Sequence, residues 1–519
     1  MIGIIAIKEF RNNIATPAFM VGLLLCLALI PYTVYTGIKT YETRLAQYEA
    51  DVKAADDMYR LAPAYVSVTP ILVKPVSPLG IFSKGIAEQT GSKVQIDRKE
   101  KPVFSNDIVA LNENTFMGGF SSLDFATAIA ILLSLVGILF SYDMLSREKE
   151  DGTLKLSLSN PVSRSSFFLG KIAGIFLTLL PILALCFLAI LLVLQFSPSV
   201  DFTADDYGRI GMLMLAAMVY FAFFVFMGGF ISSRTKSSTA SIILNLFIWC
   251  FLLFLLPNAA SWLGKNTTPA REYKQLQQEI AVVDKEWLDV QSNEVEKILE
   301  DEGLISRGWN YCLGADQDGA NLIYFTPRPN MERERRMKEL ANPIILDNCA
   351  KKWAIQSDYL QEIYRQEKTV RYLTALSPAG ILRQLSASFC RTGMDSEVHF
   401  MNQARQFQDV FFGYYVQNRI FSSFEYFTGQ KESDFPNTWD EAIAQSTRFN
   451  EEHPEVKSLF DYRLAVGTVD TSGLPRFVYA PPTLGSDVLE QLYLIAGLLI
   501  ACILLFWFSY VSFIKYDVR

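Results

Sequence analysis

Residues 141–171 read SYDMLSREKEDGTLKLSLSNPVSRSSFFLGK. Long apolar runs press in on both sides of this charged stretch, which ends in Gly-Lys. If the flanks lie in a bilayer, the stretch between them stays in water, at one membrane surface. Its reading therefore sets the topology of the chain.

The flanking runs belong to a set of six. A hydrocarbon core about 30 Å thick takes roughly 20 apolar residues per helix. Runs of this kind lie at 18–36, 123–142, 167–196, 209–230, 239–257 and 489–513. Of the 519 residues 50% are hydrophobic and 19% charged, below the roughly 25% charged share of soluble domains. The first run has basic flanks like a signal peptide, but ALIPYTVYTG offers no good small-x-small cleavage site, so the run is expected to be retained.

Short loops rich in Lys and Arg stay in the cytoplasm. Lys8 and Arg11 precede span 1. Arg147, Lys149, Lys155 and Arg164 lie between spans 2 and 3, Arg234 and Lys236 between spans 4 and 5, and Lys515 and Arg519 follow span 6. Six spans put all four sites on one side, so both termini are expected in the cytoplasm. Segments 37–122 and 258–488 then fall outside, as does the acidic SPSVDFTADDYGR between spans 3 and 4.

Residues 1–17 carry Ile4, Ile7, Phe10 and Ile14 at helical spacing, with Lys8, Arg11 and Asn12 on another face. This reads as an interfacial amphipathic helix, or else as an extension of span 1; Pro17 favours a break between them. Region 258–488 reads mainly helical. Tyr273, Leu276, Ile280, Val283, Trp287 and Val290 form a seam for a second helix. The aromatics between Phe407 and Phe427 read as a domain core before a ligand surface.

Familiar chemistries are missing. There is no GxxxxGK[ST], because Ser165 stands where the first glycine ahead of Gly170-Lys171 should be, so no nucleotide phosphate is cradled by that route. HExxH and GxSxG are absent, and SREK and SRTK lack the companions of an SxxK site. His399 and His453 are too few for a His-built metal site, and the seven cysteines have no zinc spacing. A net charge of −7 argues against a nucleic-acid partner. Asp124 and Asp143 sit near span ends where water or headgroups solvate them, and Asn245 inside span 5 reads as an interhelical hydrogen bonder. Among Cys312, Cys349 and Cys390 one disulfide is expected outside the cytoplasm, with Cys312–Cys349 preferred among three pairings.

Within 143–166, Glu148, Glu150 and Asp151 give charge, Asp151 reads as a helix N-cap, and Gly152 and Thr153 lead into Leu154, Leu156 and Leu158. A short surface helix of this kind suits docking into a groove on a soluble partner, although a solvated turn fits as well.

SREKEDGTLKLSLSNPVSRSSFFLGKIAG resembles the first cytoplasmic loop of type-2 ABC exporter permeases, close to those of nitrous oxide reductase maturation clusters. PVSPLGIFSKG (75–85), SSLDFATAIAILLSLVGILFSYD (121–143) and LSPAGILRQLSASF (376–389) look like a subgroup with long outer insertions. The resemblance implies an all-α polytopic membrane protein of the bacterial inner membrane, with six transmembrane helices, an N-terminal elbow helix and a large, mainly helical outer domain between spans 5 and 6. It implies a pair of permeases, a second copy or a paralogue, each docking one separate ATPase that binds the ATP; the chain itself carries no cofactor and is no enzyme. Docking falls to Glu148, Glu150, Asp151, Gly152, Thr153, Leu154, Leu156 and Arg164. The outer domain departs from the simple family plan and suggests a periplasmic partner. Two functions stay open, an exporter and a protein that relays ATPase motion outward without solute flux.

Overall fold

The computed structural model describes residues 1–86, 92–102, 124–159, 162–195, 197–304, 312–315, 321–324, 327–453 and 467–516. Helix α1 (Ile2–Ile14) ends at Ala15, and Thr16 caps α2 (Pro17–Arg60) by accepting the Phe19 N–H at 3.3 Å. Pro17 therefore starts a helix, where its missing N–H costs nothing. Helix α2 has 44 residues and continues well past the expected end of span 1. Helix α3 (Phe125–Ser141) leads through the short α4 (Ser146–Glu150) and α5 (Thr153–Ser159) into α6 (Arg164–Gln195) and α7 (Ala204–Arg234). Helix α8 (Ser238–Cys250), a π-helical turn at Phe251–Leu255 and α9 (Leu256–Thr267) form one continuous rod. Counting that rod, the described residues hold six helices long and apolar enough to cross a membrane.

The region between the fifth and sixth spans, called the outer domain below for its place outside the bundle, adds α10 (Tyr273–Val290), α11 (Glu296–Asp301), the 47-residue α12 (Arg328–Thr374), α13 (Pro378–Phe389), α14 (Met394–Gln417) and α15 (Trp439–Glu452). Helix α16 (Leu484–Glu490) then feeds the last span, α17 (Leu492–Ile514). Strands β1 (Ile71–Val73) and β2 (Lys93–Gln95) pair antiparallel with Leu72 opposite Val94, and β3 (Cys312–Ala315) pairs with β4 (Asn321–Tyr324). The α10 seam packs on α12 through Leu276, Tyr359 and Ile363. Cys349 and Cys390 are buried free thiols, while the Cys312 side chain, and with it the Cys312–Cys349 pairing, lies outside the described residues.

One apolar core runs through α2, α3, α6, α7 and α17. It also takes in two outer segments, with Leu79, Ile81 and Phe82 from one side and Ile381, Leu382, Leu385 and Phe389 of α13 from the other. These segments touch, because the Ile86 N–H donates to the Thr392 carbonyl at 2.9 Å. Ser377 Oγ, at the start of α13, donates to the Leu252 carbonyl in the π-helical turn at 2.5 Å. A second core holds Phe407, Phe411, Tyr415, Phe421, Phe424, Tyr426 and Phe427, so the aromatic run packs on itself.

Two details differ from expectation. Asp124 is buried: it caps α3 through the Thr127 N–H and also accepts the Lys84 N–H, so protein donors replace water there. Asn245 donates to the Ser241 carbonyl of its own helix, one turn back. Interhelical bonds of α8 include those from Ser241 Oγ to the Tyr142 carbonyl and from Trp249 Nε1 to Ser134 Oγ.

The end of the bundle that meets the outer domain is tied by charge. The Arg209 side chain is fully buried, with Asp487 at 2.6 Å and Asp205 at 2.7 Å. It also donates to the carbonyls of Pro482 at 2.8 Å and Phe389 at 3.4 Å. Arg391 shares Asp205 at 2.6 Å. Removing one member of a buried pair leaves an uncompensated charge and costs about 3–5 kcal/mol. Arg209→Met is expected to lower thermal stability on that scale, and Arg476→Met, whose partner Asp56 is exposed, by much less; fluorimetric unfolding of the detergent-solubilised chain checks this.

Candidate coupling site at the terminal face

The opposite end of the bundle gathers α1, the α4–α5 joint and the end of α17. Asp151 closes α4: its φ of −78° and ψ of −7° are helical, and its N–H reaches the carbonyls of Arg147 and Lys149. Gly152 follows with φ +72°, the left-handed turn that ends a helix and favours glycine. Asp151 is therefore a C-cap, a correction to its reading as an N-cap, and α5 starts beyond it at Thr153.

The joint is anchored on α7, on α8 and on Tyr516 just past α17. Ser232 Oγ accepts the N–H groups of Leu145 and Ser146 at 3.0 and 2.9 Å. Lys149 Nζ donates to the carbonyls of Ser232, Ser233 and Thr235 at 3.2, 2.6 and 3.2 Å, and lies 4.4 Å over the Tyr516 ring. It thus satisfies the open carbonyl end of α7, where a cation is electrostatically favoured. The Glu150 carboxylate accepts the Ser238 N–H at 2.8 Å, at the amino end of α8. Arg164 Nη1 donates to the carbonyls of Ile514 and Tyr516 at 2.7 and 2.8 Å, closing α17.

The residues expected to dock therefore divide. Glu148 pairs with Lys171 at 2.7 Å, Leu154 is buried in the main core, and Arg164 binds α17. Glu150 is exposed but tied to Ser238. Asp151, Gly152, Thr153 and Leu156 face outward, Leu156 being 71% exposed beside the exposed Lys155. The Leu158 side chain lies outside the described residues. Among the described side chains, what remains on the surface is the exposed Leu156 among polar neighbours, on a short helix that stands on a braced base.

Sequence reasoning missed Lys171 and Arg209 as organising residues. The signal was available, since each is an ionisable residue inside an apolar run, and such residues are paired or functional by default.

Among the described residues, six spans form a bundle with a braced surface helix between the second and the third. The sequence profile described as ABC-2 family transporter protein matches residues 4–518, and the chain belongs to that family. Over 148 residues it is 34% identical to a probable ABC transporter permease protein NosY of Pseudomonas aeruginosa. That match covers 26% of this chain and 52% of the relative, so the chain spans about half of the relative's length.

The two leucines provide a test. Burial of a leucine side chain is worth about 1.5–3 kcal/mol. Leu154→Ser is expected to lower the unfolding midpoint of the purified chain, and Leu156→Ser to leave it in place, when both are followed by tryptophan fluorescence.

Proposed function

We propose that this chain is the membrane subunit of an ATP-driven exporter of the bacterial inner membrane. It works as one of a pair, with a second copy or a paralogue, and a separate ATPase subunit binds and hydrolyses the ATP. The observation that carries this reading is the exposed face of α5 around Thr153, Lys155 and Leu156, set on a joint that grips α6, α7, α8 and Tyr516 just past α17. A groove on the ATPase that takes this face can shift several spans at once. In this reading both termini and the α4–α5 joint are cytoplasmic, which follows the basic short segments, and the outer domain meets the periplasm and a partner there.

A second reading has its own support. The Arg209–Asp487–Asp205–Arg391 cluster ties the outer domain to the start of α7 and the approach to α17. Motion of the spans would reach that domain without any solute moving. Relay without flux is therefore the alternative to export.

Docking is tested by co-purification of the ATPase. Lys155→Glu combined with Leu156→Ser is expected to weaken its retention about tenfold, equivalent to about 1.4 kcal/mol; undiminished retention with full ATP hydrolysis refutes the docking face. In whole cells, a cysteine at Glu300 is expected to react with an impermeant thiol reagent and one at Lys236 to stay protected; the opposite pattern inverts the topology. Solute flux in proteoliposomes separates export from relay.

A further inference from the structure

Lys171 lies near the start of α6 with 6% of its side chain exposed. Its Nζ sits 2.7 Å from Glu148 Oε1 on α4, and 3.4 and 3.3 Å from Glu9 Oε1 and Oε2 on α1. One ammonium therefore holds two carboxylates from two other elements. The approach of α1 depends on glycine. A Cβ on Gly174 would lie 2.5 Å from Glu9 Cβ and 3.0 Å from the Ala6 carbonyl oxygen, and one on Gly170 would lie 2.7 Å from Ile5 Cβ. These small residues let the two backbones close on each other, and Asn13 Nδ2 extends the contact to Thr178 Oγ1 at 3.1 Å. The Glu9 carboxylate is thereby delivered to Lys171. Glu148 reaches it from the helix that immediately precedes the exposed face of α5.

Stability alone does not explain this choice. Buried ion pairs are often no more stable than apolar side chains of the same volume, and their best-attested use is to fix register. Here the register is that of α4 against α1 and α6.

We propose that Lys171 is a positioning residue of the coupling step, locking the α4–α5 joint to α1 and α6 so that a displacement of α5 moves them together. This rests on the reading of α5 as the ATPase docking element. Without the lock, α5 still offers its outer face, but its displacement is taken up at the joint and no longer carried to α1 and α6.

The test uses the full-length chain in nanodiscs, alone and with its ATPase bound. Spin labels on unnatural amino acids at Asn12 and Lys155 report the distance between α1 and α5 by pulsed electron resonance. Wild type and Lys171→Arg are expected to give one narrow distance peak, and Lys171→Met to lose it. Because Lys171→Met strands two part-buried carboxylates at a packed joint, the neutral triple variant Glu9→Gln, Lys171→Met, Glu148→Gln is measured beside it as the control for folding and is expected to lose the peak as well. With the ATPase retained, coupled hydrolysis per bound ATPase should fall about tenfold in the triple variant and recover in Lys171→Arg. A narrow peak and full coupling in the triple variant overturn the proposal. If wild type holds no ATPase, the docking reading falls, and the distance measurement decides the lock by itself.

Discussion

Inside hydrocarbon no water replaces a missing hydrogen bond, so every backbone carbonyl near the membrane needs a partner from the protein. The helices meet this demand along their length and leave it open at their ends. In this chain basic side chains from neighbouring elements take the open carbonyls. Lys149 serves the end of α7, Arg164 the end of α17, and Arg209 the carbonyls of Phe389 and Pro482. Each bond satisfies an acceptor and also ties two elements together. The chain's connectivity at both ends of the bundle is to a large extent the record of where those carbonyls fall.

The same rule separates the two faces of the α4–α5 joint. The side that meets the bundle is bonded at several points, among them Ser232 and Ser238. The side that meets water exposes Asp151, Gly152, Thr153, Lys155 and Leu156. In the docking reading proposed above this division matters, because a compliant base would absorb the displacement. The outer end is organised in parallel, with α13 seated in the main core and its first hydroxyl bonded to the π-helical turn of the fifth span.

Much of this was legible in the sequence, because hydropathy measures the one quantity a membrane helix must have. The six spans, the break at Pro17, the α10 seam and the self-packing aromatics of 407–427 follow from composition and period. The division of the 143–166 segment was not legible. Glu148 and Glu150 are two residues apart on a helix and point to different partners, one to a buried lysine and the other to a helix amino end. Leu154 and Leu156 differ in the same way, core against solvent. The positions of α6, α7 and α8 around the joint decide which is which, and that is a long-range property. The assignment of Asp151 to the start of a helix failed for a local reason: Gly152 takes a left-handed conformation and ends the preceding helix instead.

Helix α2 does not stop where the bilayer does. Its 44 residues make a rod about 66 Å long at 1.5 Å per residue, with Phe19 near its start in the main core and Tyr59 near its end in the aromatic core of the outer domain. Such a rod acts as a lever arm. Pivoting by about 5° about its start, it would sweep its far tip through about 6 Å, more than one helical turn. Small adjustments among closely packed spans would thus reach the outer domain as a stroke long enough to open or close a surface there.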